Sequence, residues 1–340
     1  MGATIQQIES AVGMVIAHYI PFRAIRAGHQ LSDSKGASAA ISSEVAILAV
    51  NRSMNGFVGP KDIFRNPQAI FRLFEPTDND NLSPFDINLG IDGDDFSVMG
   101  MHFKLGLYEH QSAGAIQALI DALLAKPEII KNGSVDDIKN IAIKIYEPAF
   151  GIIGDPAKRN PTTRQSADHS MVYIIASHLK KAYDLGYDKI KAIDNNTDMW
   201  KSIMLLPLDY DEGSLYNNVT RELMKKIQFE HGGAEYDDNY PNGIPTKLSI
   251  ETVSGISTES EMVMYPSGHA RNTNADLKGI LMNKWVSMGG IATGDYQNCG
   301  QNNNGIETVL NKLSNLKSKS VSEINDLYNL PVTVTDKYVL

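Results

Sequence analysis

The chain has 340 residues, 42% of them hydrophobic and 21% charged, a composition that suits a water-soluble globular protein with room for two cores. Its formal net charge of −9 argues against nucleic acid and against an anionic membrane surface as partners. A single cysteine, Cys299, excludes a disulfide framework within the chain, points to a reducing compartment, and cannot supply the thiolates that an iron–sulfur cluster takes.

No apolar run reaches transmembrane length and the N-terminus lacks a charged-then-apolar signal pattern, so the expectation is a soluble, intracellular protein. Ile5, Ile8, Val12, Val15 and Ile16 recur at helical spacing and predict a helix over 4–20. A loop from Pro21 to Gly36 carries Arg23, Arg26, His29 and Lys35. The small-residue run Ala37 to Val50 predicts a second helix that a neighbour can approach closely. Gly56, Gly59 and Pro60 end it, and a short helix interrupted at Pro67 is expected over Asp62 to Phe74.

Near Pro84 the period changes from 3.6 to 2. Phe85, Ile87, Leu89 and Ile91 alternate with polar residues, Gly93-Asp94-Asp95 signals a turn, and Phe96 to Phe103 can pair back as a hairpin. Ala113 to Ala125 is helical again, and Ile141, Ile143 and Ile145 mark a further strand. The stretch from Gly154 to Arg164 is a Pro- and Gly-punctuated loop with three cations, Lys158, Arg159 and Arg164. A helix follows, with Asp168 as the expected N-cap, His169 in its first turn and Tyr173 one turn on. Basic residues ahead of a helix N-terminus suit an anionic ligand. Val219, Leu223 and Ile227 predict a polar helix closed by Gly232-Gly233; Lys247–Val253 and Glu259–Met264 flank Ser254-Gly255 as a hairpin. From Asn274 the chain reads as helical, apart from an Asn/Gly-rich loop at 295–305.

Strands segregated from helices in this way give an α+β class. The expected division is 1–84 and 270–340 as two parts of one discontinuous helical domain, with 85–269 as an inserted α+β domain holding the strands.

Four motifs then stand in order along the chain: Ser34-Lys35-Gly36-Ala37-Ser38-Ala39-Ala40; Lys104 followed by Tyr108-Glu109-His110-Gln111-Ser112; Asp168-His169-Ser170-Met171-Val172-Tyr173; and Tyr265-Pro266-Ser267-Gly268-His269-Ala270-Arg271. Together they resemble the 2-methylcitrate dehydratase family, the MmgE/PrpD group. The resemblance implies a helical domain with an α+β lid, a cleft between them, and a lyase that dehydrates 2-methylcitrate to 2-methyl-aconitate in propionate catabolism. The same scaffold serves cis-aconitate decarboxylation and dicarboxylate epimerisation. Carried over residue by residue, Lys35, Lys104, His110, His169 and Tyr173 become the expected catalytic set, and Arg164, His269 and Arg271 the expected substrate-binding set. This chain is about two residues shorter than the family between Lys104 and His110.

Dehydration next to a carboxylate needs a base for a carbon-bound proton and an acid for the departing hydroxyl, with cations and oriented donors for the developing charge. Lys, His, Tyr and Arg are the residue types for that work. Asp168-His169-Ser170 is no hydrolase triad, because adjacent helical residues point in different directions. His18, His29, His102, His178 and His231 have no such context and are read as structural or exposed. No cofactor is expected: the sequence has no His-Glu-x-x-His, no Cys pair and no dinucleotide fingerprint, and Asp92-Gly93-Asp94-Asp95 suits a hairpin turn better than a calcium loop. The resemblance also implies a cytoplasmic location (the mitochondrial matrix in a eukaryote) and either a homodimer or a partner. Family members carry a further helical block, with Asp-rich and His-Pro motifs, ahead of the part that matches 4–20. The expectation is therefore a fragment, a split gene or a non-catalytic subunit, weakly active alone, whose first helices expose an apolar face.

Overall fold

The computed structural model describes residues 1–19, 31–64 with 66 and 68, 100–152, 158–293, and 304–327 with 329. They fall into two compact units, 1–96 and 97–340. The expected loop at 21–30 with His29, the expected hairpin strands up to residue 99, and the Asn/Gly-rich loop at 295–303 with Cys299 lie outside the described residues.

In the first unit, α1 (Ile5–Tyr19) packs on α2 (Asp33–Met54). Their core is small: Ala11, Met14 and Ala49, with Val15 and Val50 against it. Two buried serines fasten the pair, Ser53 Oγ donating to Gln7 O at 2.7 Å and Ser10 Oγ to Phe57 O at 3.1 Å. Ile5, Ile41, Ile47, Phe57 and Val58 remain more than half exposed, because two helices alone cannot cover their apolar faces. Helix α2 begins earlier than Ala37: Ser32 holds the extended N-cap backbone and Asp33 enters the first turn, where a negative charge suits the helix dipole. Lys35 is thus inside the helix rather than on the loop before it. Residues 61–64 form bends and turns, not the start of a helix, with Asp62 at φ 50°. Among the described residues of this unit there is no strand.

The second unit is built on a four-stranded sheet of order β2-β1-β3-β4. Strand β1 (Ile138–Ile145) pairs in parallel with β2 (Ile227–His231) and antiparallel with β3 (Thr246–Thr252), which pairs antiparallel with β4 (Ser257–Glu259). Ile141, Ile143 and Ile145 are fully buried, while Lys144 and Glu230 on the other face approach to 4.0 Å. The alternation is what a sheet covered on one face requires. Ile138 is buried too, against the alternation, because the β1/β3 register slips between Ile138 and Asn140. One extra residue in β1 turns the strand over at that point.

Helix α3 (Ser112–Ala125) lies against β3, with α4 (Met171–Leu185) and α5 (Asn196–Ile203) beside it. Close approach explains the small residues of α3. A Cβ at Gly114 would stand 2.4 Å from Thr246 Oγ1, so only glycine lets α3 cross β3 at that separation. Helix α6 (Asn218–Lys225) covers α4, and α7 (Leu277–Ala292) packs on α5 and on α8 (Asn304–Leu313).

The described part is mixed helix and sheet, in keeping with an α+β class, and its named strands lie between residues 138 and 259. Three local expectations are corrected. The polar helix stops at Lys225 instead of running to Gly232-Gly233. Ile227 and Phe229 leave it to pair with Ile141 and Ile143, since burial of Ile227 in the sheet outweighs the helical spacing it shares with Val219 and Leu223. The second arm of the 247–264 hairpin pairs at Ser257–Glu259, and Val263 adds only an isolated bridge to Thr246. The helix after the basic loop starts at Met171 with Ser170 as its N-cap, the serine oxygen accepting Tyr173 N–H at 3.3 Å. Asp168 instead closes a four-residue helix, Arg164–Ala167.

Candidate active site

The site grows from two segments far apart in sequence. Met101–Phe103 runs antiparallel to Gly268–Ala270: Phe103 N–H donates to Gly268 O at 2.8 Å, and Ala270 N–H to Met101 O at 2.9 Å. This pairs His102 with His269. Gly268 permits the contact, because a Cβ there would meet Phe103 O at 2.1 Å. The His102 ring lies 4.7 Å from that of His110 and 5.8 Å from that of His269, both edge to face. Neither nitrogen of His102 has a hydrogen-bond partner, and both are buried. Burial, then the neighbouring His110, His269 and Lys104, push its pKa down to about 3. His110 keeps an exposed edge, yet burial of the rest of its ring and the Lys104 charge hold its pKa below the ordinary value. Three imidazoles and a lysine thus share one corner, with the rings held neutral at neutral pH.

Glu109 lies beneath this corner, 3% exposed. Its carboxylate accepts Ser112 Oγ at 2.6 Å and Gln111 N–H at 2.9 Å, which caps the start of α3 and fixes the peptide that carries His110. Burial raises its pKa, opposed by those two hydrogen bonds and by the nearby His169 and Lys104. Lys284, on α7, donates to Lys104 O at 2.5 Å, and burial together with the Lys104 charge lowers its pKa. The second unit therefore brings Lys104, His110, His169 and His269 into one electrostatic neighbourhood, along with three residues that the sequence reading did not select: His102, Glu109 and Lys284.

The tautomers of two histidines follow from their partners. His169 lies before α4 rather than in its first turn, and its Nδ1 faces Gln165 O at 3.0 Å and the Asp168 carboxylate. Both partners only accept, so Nδ1 carries the proton and neutral His169 keeps its lone pair on Nε2. In His269 the order is reversed: Nδ1 accepts Arg271 N–H at 3.1 Å, so neutral His269 has its proton on Nε2. One ring is set up as a base, the other as a donor.

Tyr173 is placed differently. Its ring is buried 5.6 Å from Tyr210, and its hydroxyl donates to Asp209 O at 2.7 Å beside the Lys181–Asp209 ion pair. Burial raises its pKa above the tyrosine range. It lines a depression of about 240 Å³ with Lys181 and Asp209 that none of the clustered histidines lines. Arg164 opens the short helix before His169 and sits within electrostatic reach of Tyr210, whose hydroxyl donates to Leu107 O. In the basic loop Arg159 stacks over Phe229, and Arg221 holds Asn160 and Pro161. Arg271 lies over the Tyr265 ring and lines a polar cleft of about 380 Å³ with Gln117, Asp121, Asn196 and Ser267. Lys35 belongs to the first unit, half-buried on the first turn of α2. His178 is structural as expected, fully buried with Nδ1 donating to Ile174 O at 2.8 Å. His231 is exposed between Glu147 and Asp237, and His18 is exposed. No group of three or more potential metal ligands occurs among the described residues.

Residues 110–188 match the family model of the MmgE/PrpD C-terminal domain. That segment is similar to the MmgE/PrpD C-terminal domain over 79 of the 340 residues. The matched segment carries His110, α3, β1, His169 and Tyr173, and leaves Lys35, Lys104 and His269 outside it. No curated protein matches the sequence significantly. Similarity to this domain suggests a lyase-type activity on polycarboxylates. No helix among the described residues is long and apolar enough to cross a membrane.

Proposed function

We propose that this protein is a hydro-lyase of the MmgE/PrpD kind that dehydrates 2-methylcitrate to 2-methyl-aconitate. The observation that carries the proposal is the pair of opposite tautomers, His169 with a free Nε2 lone pair and His269 with an Nε2 proton, in the same electrostatic neighbourhood as Lys104. In the reaction a base removes a proton from the carbon beside a carboxylate, the C–O bond on the neighbouring carbon breaks, and the hydroxyl leaves as water after protonation. His169 suits the first step and His269 or His110 the second. Lys104 and Lys284 suit the carboxylates, whose negative charge grows as the carbon proton departs. Tyr173, with its hydroxyl committed to Asp209 O and its ring on a separate depression, is not the acid in this reading.

Lys35 as a further cation for the substrate is part of this proposal. So are Arg164 and Arg271 as carboxylate contacts, an intracellular site of action, and a homodimer or a partner chain. Decarboxylation of cis-aconitate or epimerisation of a dicarboxylate would use the same cations and the same base. The test offers 2-methylcitrate, citrate and cis-aconitate to the purified protein and follows the ultraviolet absorbance of the conjugated product. Product from 2-methylcitrate that disappears in Lys104→Ala and His169→Gln supports the assignment. Loss of cis-aconitate absorbance with release of carbon dioxide would replace it with decarboxylation, and inertness of the folded protein toward every polycarboxylate would end it.

A further inference from the structure

The corner of imidazoles is assembled from two loops, and one buried amide ties the second loop to the core. Gln117, 5% exposed on α3, uses its whole side chain. Its Nε2 donates to Asp121 Oδ1 at 2.8 Å and to Asn196 Oδ1 at 2.7 Å. Its Oε1 receives Trp200 Nε1–H at 3.0 Å, Ser267 N–H at 3.1 Å and Ser267 Oγ at 2.6 Å. Ser267 is 150 positions away in sequence and two residues before His269.

We propose that Gln117 is the positioning residue that seats the Ser267–His269 turn, and with it the His269 imidazole, against Met101–Phe103. The Ser267 peptide and hydroxyl are the turn's anchor on α3, and Trp200 on α5 holds the accepting oxygen in place. From this seat Gly268 reaches Phe103, and His269 reaches His102. A hydrocarbon side chain at position 117 would leave two buried Ser267 donors unsatisfied, so the turn would lift toward water. An amide suits the position because both ends are needed: the oxygen seats the turn, and the nitrogen is fixed by Asp121 and Asn196.

That this matters for a polycarboxylate rests on the function proposed above; the seating itself does not. The experiment is an NMR titration of the histidine rings in the full chain, with tricarballylate binding measured beside it. In the native protein His269 titrates below 6.5, held down by burial, Arg271 and His110. In Gln117→Met, which keeps shape and loses both hydrogen-bonding ends, the His269 pKa moves up toward 6.5 and its ring signals change. Trp200→Phe removes one of the three donors to the Gln117 oxygen and shifts His269 by less than Gln117→Met does. Ser267→Ala, which leaves Gln117 in place, moves it in the same direction as Gln117→Met, by less. His269 titrating as in the native protein in a folded Gln117→Met chain would overturn the proposal. Should that variant not fold, an unmoved His269 in Ser267→Ala would do so. Tricarballylate binding is expected to weaken about tenfold in Gln117→Met, about one lost hydrogen bond. Absence of tricarballylate binding in the native protein would count against the polycarboxylate reading alone, and the ring titration would still decide the seating.

Discussion

Substituting His102 by Phe should remove about 2 kcal/mol of the stability that the second unit loses between about pH 8 and about pH 5. His102 and His178 both have pKa values pushed down to about 3 by burial, and the like charges of His110, His269 and Lys104 add to the effect at His102. In the unfolded chain each returns to the ordinary 6.5. A histidine depressed in the folded state contributes stability that is full above pH 6.5 and is lost as pH falls toward 3, because the unfolded chain takes up the proton first. At about pH 5 the unfolded ring is almost wholly protonated and the folded ring almost wholly neutral, which costs about 2 kcal/mol per histidine relative to about pH 8. Two such residues remove about 4 kcal/mol, a large share of the roughly 5–15 kcal/mol typical of a folded domain. Phe keeps a flat ring that can face His110 edge-on but cannot take a proton. Glu109 and Asp121, raised by burial, act in the opposite sense as pH falls, and they do so equally in both proteins. The difference between the two therefore isolates His102. The assay is urea unfolding of native and His102→Phe chains at about pH 8 and about pH 5. Equal losses of stability in the two would refute the reasoning, because they would mean that the ring is as easily protonated in the fold as in the coil.

Gly268→Ala should cost about 1–3 kcal/mol and loosen the Met101–Phe103 pairing, since the new methyl group meets Phe103 O at 2.1 Å; amide exchange at Phe103 and Ala270 reads it directly. Ile143→Ala, in the centre of the buried face of β1, should cost about 2–5 kcal/mol by urea unfolding with no change in the histidine titrations. Asp209→Ala strips the partner from Lys181 and an acceptor from Leu206 N–H, for an expected loss of about 1–3 kcal/mol that Asp209→Asn should partly restore.

Much of the local structure could be read from the chain. Helices α1, α3 and α4 carry an apolar stripe or an unbroken apolar run longer than any strand needs, and β1 alternates over Ile141, Ile143 and Ile145. Ile227-Gln228-Phe229 could not be read in the same way. It is too short to show its own period, follows a helix in phase, and becomes a strand only because β1 offers a free edge. The cap after the basic loop was ambiguous for a related reason. Asp168 and Ser170 are both good N-caps, and the short helix Arg164–Ala167 uses one and leaves the other.

The chemistry divides along the same line. Residue type and spacing determined which side chains could handle a carboxylate: Lys104, His110, His169 and His269 each stand in a recognisable motif, and their chemistry does not depend on the fold. What the tertiary structure alone decided is their setting. His102 carries no motif, and its place between His110 and His269 follows from a backbone pairing across more than 160 positions, enabled by a missing Cβ at Gly268. Which nitrogen of each imidazole holds the proton is set by partners such as Gln165 O and Arg271 N–H, and protonation states are set by burial. Those quantities depend on distance and dielectric in three dimensions, and a linear pattern of residue types contains neither.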